Sequence, residues 1–222
     1  MTLQIVVLNK NRSFAITESR VTINGCKTYD GEQKMFNISN KLSCVLLVSG
    51  NGRFDGNGIK KFIDEYSYKT DINKIDTIQE IKNTLNRCIS SSSHSLGVDE
   101  YVNDKFPRFE NEIRNSLDAI DDKSACIQYL KLNSFNSSID VLDNNRLLNS
   151  RLSSFTNSLF DIIDKKEFNE IKYYLKCNYY WYLIENSSVF TLVGYDECYN
   201  NPTCLCYNIL ANFDGKLLIV EK

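Results

Sequence analysis

The first quarter of the chain alternates short apolar runs with turn-forming residues, which is the pattern of strands joined by tight turns. The runs cover residues 3–8, 13–17, 34–38 and 44–48. Valine, isoleucine and phenylalanine recur in them, and these side chains favour extended backbone. The last run ends at Ser49-Gly50. We therefore predict that residues 1–52 form strands and turns.

Helical spacing replaces this pattern further along the chain. Residues 57–67 and 77–90 are predicted to be helices, because their apolar positions recur every three or four residues. The serine-rich tract 89–97 predicts a linker. Residues 98–185 carry further helical stripes, and Pro107 is expected at the start of the first helix among them.

Strands return at the end of the chain. Residues 189–195 and 203–210 predict a hairpin, and residues 216–220 predict a final strand. Strands at both ends with helices between them predict an α+β fold with a helical insertion. The predicted parts are residues 1–96, 97–186 and 187–222.

The predicted insertion contains an aromatic run. Residues 173–182 hold five tyrosines and the only tryptophan of the chain. If exposed, such a run would form an interface patch, because tyrosine and tryptophan combine a large contact area with a polar tip. The alternative, which we favour, is that the run packs the insertion against the sheet.

Charge and hydropathy restrict the classes of partner. The net charge of −2 argues against a nucleic-acid-binding protein, which would need a basic face. No segment approaches the roughly 18 apolar residues of a membrane span. The N-terminus lacks the basic and apolar regions of a secretory signal. We expect a cytoplasmic protein with no nucleic acid and no membrane partner.

The eight cysteines do not form a metal-binding pattern. Cys198, Cys204 and Cys206 are close in sequence, but a tetrahedral zinc site needs a fourth ligand. The only histidine, His94, is remote in sequence. Cys204 and Cys206 would share one side of a strand, where ordinary core packing explains them. We expect no metal and no cofactor.

Three residues suggest a different chemistry. Thr2, Glu18 and Lys34 follow one another at intervals of sixteen residues, close to predicted strand ends. Removal of Met1 would give Thr2 a free α-amine of pKa about 7.7–8.0, which can serve as the base for its own hydroxyl. A buried Lys34 would favour the alkoxide, and Glu18 would compensate its charge. Gly50 could offer a backbone N–H to an oxyanion.

Residues 2–66 resemble the proteasome β-subunit and bacterial HslV type of N-terminal-nucleophile (Ntn) hydrolase. The resemblance is carried by Thr2, by the Ser-Arg-x-Thr sequence after Glu18, by Lys34-Met35-Phe36 and by Ser49-Gly50. Two features depart from the family. The carboxylate is Glu where the family favours Asp, and the family's second-half motif is not recognisable.

The resemblance implies an αββα sandwich of antiparallel sheets, here with a helical insertion and an incomplete C-terminal half. It also implies a threonine peptidase or amide hydrolase with Thr2, Glu18, Lys34 and Gly50 as site residues, acting in a homo-oligomeric ring on a peptide or amide substrate. Two alternatives stay open: a catalytically inactive assembly or recognition protein, and a truncated fragment of the fold.

Overall fold

The chain has an α+β fold. The computed structural model describes residues 4–9, 12–17, 21–23, 27–29, 33–50, 53–54, 57–71, 74–120, 122–134, 139–160, 164–196 and 201–221. The strands are β1 Gln4–Asn9, β2 Arg12–Thr17, β3 Val21–Ile23, β4 Lys27–Tyr29, β5 Met35–Ser39, β6 Cys44–Gly50, β7 Arg53–Phe54, β8 Asn57–Gly58, β9 Ser188–Asp196, β10 Asn201–Phe213 and β11 Lys216–Glu221. The helices are α1 Ile59–Lys69, α2 Ile78–Ser92, α3 Val98–Leu117, α4 Lys123–Leu132, α5 Asp140–Asp143, α6 Arg146–Leu159 and α7 Lys165–Glu185.

The chain divides into two compact units. The first combines residues 1–95 with residues 186–222 and holds all the described strands, whereas the second is the helical segment 96–185. The first unit therefore joins both ends of the chain in one core.

The centre of the first unit is a five-stranded sheet in the order β11-β10-β9-β6-β5. All four strand pairs are antiparallel. The central strands are apolar on both faces, as expected for strands that are covered on both sides. The strands before α1 and those after α7 thus form one sheet, although more than 130 residues separate β6 from β9 in the chain.

Helices α1 and α2 cover one face of this sheet. Leu46 and Leu192 from the strands and Phe62 and Leu85 from the helices are completely buried in a shared core. Thr77 caps the N-terminus of α2, and its side chain accepts a hydrogen bond from the Glu80 N–H. The apolar stripe of α2 is therefore fixed against the sheet from its first turn.

The hairpin of β1 and β2 lies against the sheet. It contacts β9 and β10, which already pair with neighbouring strands on both of their edges. The hairpin can therefore reach them only through a face of the sheet. The face opposite the helices carries Leu47, Thr191 and Val193, all buried. We infer that the hairpin lies on this face, which gives the layer order helix, sheet, hairpin.

The helical unit has its own aromatic core. Phe106 and Phe109 of α3 pack against Tyr179 of α7 with ring centroids 5.5 and 5.2 Å apart. Phe155 of α6 completes the cluster. Tyr179 of the aromatic run at residues 173–182 thus lies in the interior of the helical unit itself, whereas Tyr173 of the same run is exposed.

Two sequence predictions about this region are wrong. The linker predicted at 89–97 begins later, because α2 continues to Ser92 and buries Ile89 with the rest of its apolar stripe. Pro107 does not begin a helix but lies inside α3. Helix α3 already buries Tyr101 and Val102, which lie at least one turn before Pro107. This packing favours a helix that continues through the proline.

Candidate active site

Two of the four predicted site residues can be located. Thr2 and Glu18 lie outside the described residues. Their described neighbours Gln4 and Thr17 pair directly with each other at the open end of the β1–β2 hairpin. Lys34 and Gly50 lie at one end of the five-stranded sheet, where β5 begins and β6 ends.

Lys34 and Gly50 are linked through the backbone of Val48. The Val48 N–H donates a hydrogen bond to the Lys34 carbonyl, with nitrogen and oxygen 2.8 Å apart. Amides two residues apart in a strand point to the same side. The Gly50 N–H therefore faces the side of β6 on which Lys34 lies. The pairing of β5 with β6 begins at Met35 with Leu47. The Gly50 amide therefore lies beyond the last hydrogen bond that the described residues form between these two segments.

Gly50 occupies a position that other residues cannot adopt without strain. Its φ is +74°, in the left-handed region. A Cβ on residue 50 would lie 2.2 Å from the backbone oxygen of Ser187, far inside van der Waals contact. Glycine thus allows the end of β6 to lie close to the residue that precedes β9.

Ser187 and Asn208 form a buried polar pair beside this glycine. Asn208 Nδ2 donates to Ser187 Oγ at 2.7 Å, and the two residues are 1% and 5% exposed. Gly50 pairs with Ser188 across the β6–β9 ladder, and Asn208 pairs with Val189 across the next one. All these residues therefore share one end of the sheet.

Neither residue of this pair is among the site residues predicted from the sequence. A signal for it was present, because Asn208 interrupts an otherwise apolar strand pattern between Tyr207 and Ile209. Asparagine is rarely buried unless it is hydrogen-bonded. An asparagine inside a buried strand therefore points to a specific polar partner, although the sequence cannot name Ser187 as that partner.

Two thiols of this unit, Cys44 and Cys88, are poor candidates for the nucleophile. Burial raises the pKa of Cys44 to about 12, and burial also raises the pKa of Cys88. Both thiols are therefore protonated at neutral pH, whereas the thiolate is the reactive form. The prediction that Cys204 packs in the core is wrong, because it is exposed near the start of β10.

Metal ligands and membrane spans were also sought in the described ranges. No cluster of three or more histidine, cysteine, aspartate or glutamate residues occurs there that could bind a metal ion. Within the same ranges, each helix is too short or too polar to cross a bilayer.

Comparison of the chain with protein-family models, with curated protein sequences and with solved structures finds no match.

Proposed function

We propose that this chain is an Ntn-type amide or peptide hydrolase that uses Thr2 as its nucleophile after Met1 is removed. The observation that carries the proposal is the arrangement of Lys34 and Gly50. The Gly50 N–H faces the Lys34 side of β6, beyond the last described hydrogen bond between β5 and β6. A cation and a backbone donor at one sheet end are the groups that an oxyanion requires.

Three further features support the same site. The sixteen-residue intervals between Thr2, Glu18 and Lys34 agree with the Ntn pattern. The described ends of the first hairpin, Gln4 and Thr17, pair directly with each other. The layer order of helices, sheet and hairpin agrees with three of the four layers of an αββα sandwich.

The proposed reaction uses Thr2 twice. Its α-amine accepts the hydroxyl proton while Oγ attacks the substrate carbonyl carbon, and the Gly50 N–H donates to the resulting oxyanion. The C–N bond then breaks, and the leaving amine takes the proton from the α-ammonium group. Water, deprotonated by the same amine, hydrolyses the ester and restores Thr2. Lys34 stabilises the negative charge, and Glu18 compensates the charge of Lys34.

The experiment for this proposal is hydrolysis of a panel of fluorogenic peptide amides by the purified full-length chain. Thr2→Ala should abolish turnover, whereas Thr2→Ser should retain part of it because the hydroxyl and the α-amine remain. Activity that is unchanged in Thr2→Ala would refute the proposal.

One observation favours a second candidate, a non-catalytic assembly protein. The β1–β2 hairpin exposes apolar side chains on one face, with Ile5, Val7 and Ile16 respectively 44, 53 and 47% exposed. Ile5 and Ile16 are directly paired, so these side chains form a continuous patch. Contiguous exposed apolar surface marks interaction sites. A chain that oligomerises normally but never hydrolyses any amide would agree with this candidate.

A further inference from the structure

The outer strand of the sheet, β11, has the features of a peptide-binding edge. It is last in the order β11-β10-β9-β6-β5, so none of the described strands pairs with its outer side. Its sequence places Leu217, Leu218, Ile219 and Val220 in succession, and all four are half-buried. Edge strands are usually protected by charges, prolines or bulges that prevent pairing with another chain. The middle of β11 has neither a charge nor a proline, and the irregularity of this strand pair lies in β10, between Ile209 and Ala211.

The hairpin turn determines which backbone groups of β11 face outward. Asp214 and Gly215 both have positive φ, 49° and 77°, and connect the paired residues Phe213 and Lys216. A two-residue turn of this kind is closed by a hydrogen-bonded pair. Lys216 therefore directs its N–H and C=O toward β10. Leu217 directs its own N–H and C=O away from the sheet, where an incoming strand could bind them.

A groove lies beside this edge. It has a volume of about 370 Å³ and lies between α2 and β11. Asn83, Asn86 and Arg87 line it from the helix, and Leu217 and Ile219 line it from the strand. A strand added to β11 would thus have polar helix residues facing one of its sides.

The charge of the groove indicates which kind of peptide it would bind. Arg87 is the cation that α2 contributes to it, and its lining includes no acidic residue. The Arg87 guanidinium donates only to groups of its own helix, the Asn83 carbonyl and the Thr84 hydroxyl, among the described residues. Carboxylates are the natural partners of a guanidinium group.

We propose that β11 and this groove bind an extended peptide segment that alternates acidic and apolar side chains. The peptide adds to β11 as a sixth strand of the sheet, through the outward N–H and C=O of Leu217. Its acidic side faces α2 and pairs with Arg87. Its apolar side continues the surface formed by Leu218 and Val220.

The test is fluorescence anisotropy of the full-length chain with a fluorescein-labelled peptide, Glu-Val-Glu-Val-Glu-Val-amide. A matched Lys-Val-Lys-Val-Lys-Val-amide probe reports the contribution of charge. Two further acidic probes carry N-methyl groups on one or the other set of alternate amides. We expect the acidic probe to bind saturably and the lysine probe to bind at least about tenfold more weakly. One of the two N-methylated acidic probes should lose affinity to a similar extent, whereas the other should bind like the unmodified acidic probe.

Charge reversal provides the matched variants. Arg87→Glu should weaken binding of the acidic probe at least about tenfold, whereas Lys131→Glu, an exposed cation of the helical unit, should not. Absence of binding by the acidic probe would overturn the proposal. So would equal binding of the acidic and lysine probes to the unaltered chain, a comparison that does not depend on how the variants fold.

Discussion

Gly50 approaches Ser187 so closely that a Cβ on residue 50 would lie 2.2 Å from the Ser187 carbonyl oxygen. The contact joins the end of β6 to the residue that precedes β9, two segments that are distant in the chain. Because Gly50 also has φ +74°, both its conformation and its surroundings require glycine. The proposed oxyanion donor is thus held by the fold itself.

Gly50→Ala should therefore destabilise the protein. A left-handed alanine costs about 1–2 kcal/mol, and the clash with backbone adds to this. We expect a loss of at least about 2 kcal/mol in the free energy of unfolding, measured by urea denaturation. Gly58→Ala is the control, since a Cβ on residue 58 would have no atom within 4 Å, and should change stability by less than about 1 kcal/mol. Equal stabilities of the two variants would contradict the conclusion that position 50 requires glycine.

Asn208→Ala should destabilise the sheet end beside Gly50. The change removes the hydrogen bond that Asn208 donates to the buried Ser187 hydroxyl. Loss of such a buried partner costs about 1–3 kcal/mol. Combined with Ser187→Ala in a double-mutant cycle, the two changes should show a coupling energy of about 0.5–3 kcal/mol. Strictly additive effects would mean that this bond contributes nothing to stability.

Lys34→Met should impair the chemistry more than the fold. In the proposed mechanism Lys34 stabilises the deprotonated hydroxyl of Thr2, and removal of such an electrostatic group typically slows a reaction by about 10²–10³-fold. The rate of peptide amide hydrolysis measures this loss. Lys60→Met, which removes a surface ion pair with Asp64, is the control and should leave the rate unchanged. A Lys34→Met protein as fast as the control would exclude a catalytic role.

Acid should weaken the contribution of Glu65 to stability. A hydrogen bond from the Ser92 hydroxyl, helped by Lys69, lowers the pKa of Glu65. Because the folded pKa is below the unfolded value of about 4.3, the stabilisation is present above that pH and is lost as the pH falls through the folded pKa. Glu65→Gln should therefore destabilise the protein more at pH 7 than at about pH 3. Equal effects of Glu65→Gln at the two pH values would contradict this expectation.

Much of the first unit could be predicted from local patterns. The runs at 34–38 and 44–48 became β5 and β6, and the periodic segment 77–90 became most of α2. These elements bury a regular stripe or a continuous apolar run, and burial of that kind leaves a clear periodic signal. The α+β class follows from their order along the chain.

The polar part of the site could not be predicted in the same way. The partner of Asn208 is Ser187, which lies 21 residues away, and only the β9–β10 register brings them together. Local sequence carries no information on such a register. The serine tract was misassigned for a related reason, since Ser90–Ser92 are held in α2 by the burial of Ile89 and not by their own weak helix propensity.

The measurement that tests the central claim most directly is the intact mass of the purified protein before and after treatment with a peptide epoxyketone. This reagent forms a stable ring only with an amine and a hydroxyl on adjacent carbons, the pair that an N-terminal threonine presents. We predict loss of Met1 and a single adduct that Thr2→Ala abolishes and Lys34→Met slows. Retained Met1, or a free Thr2 that never forms the adduct, would contradict the account.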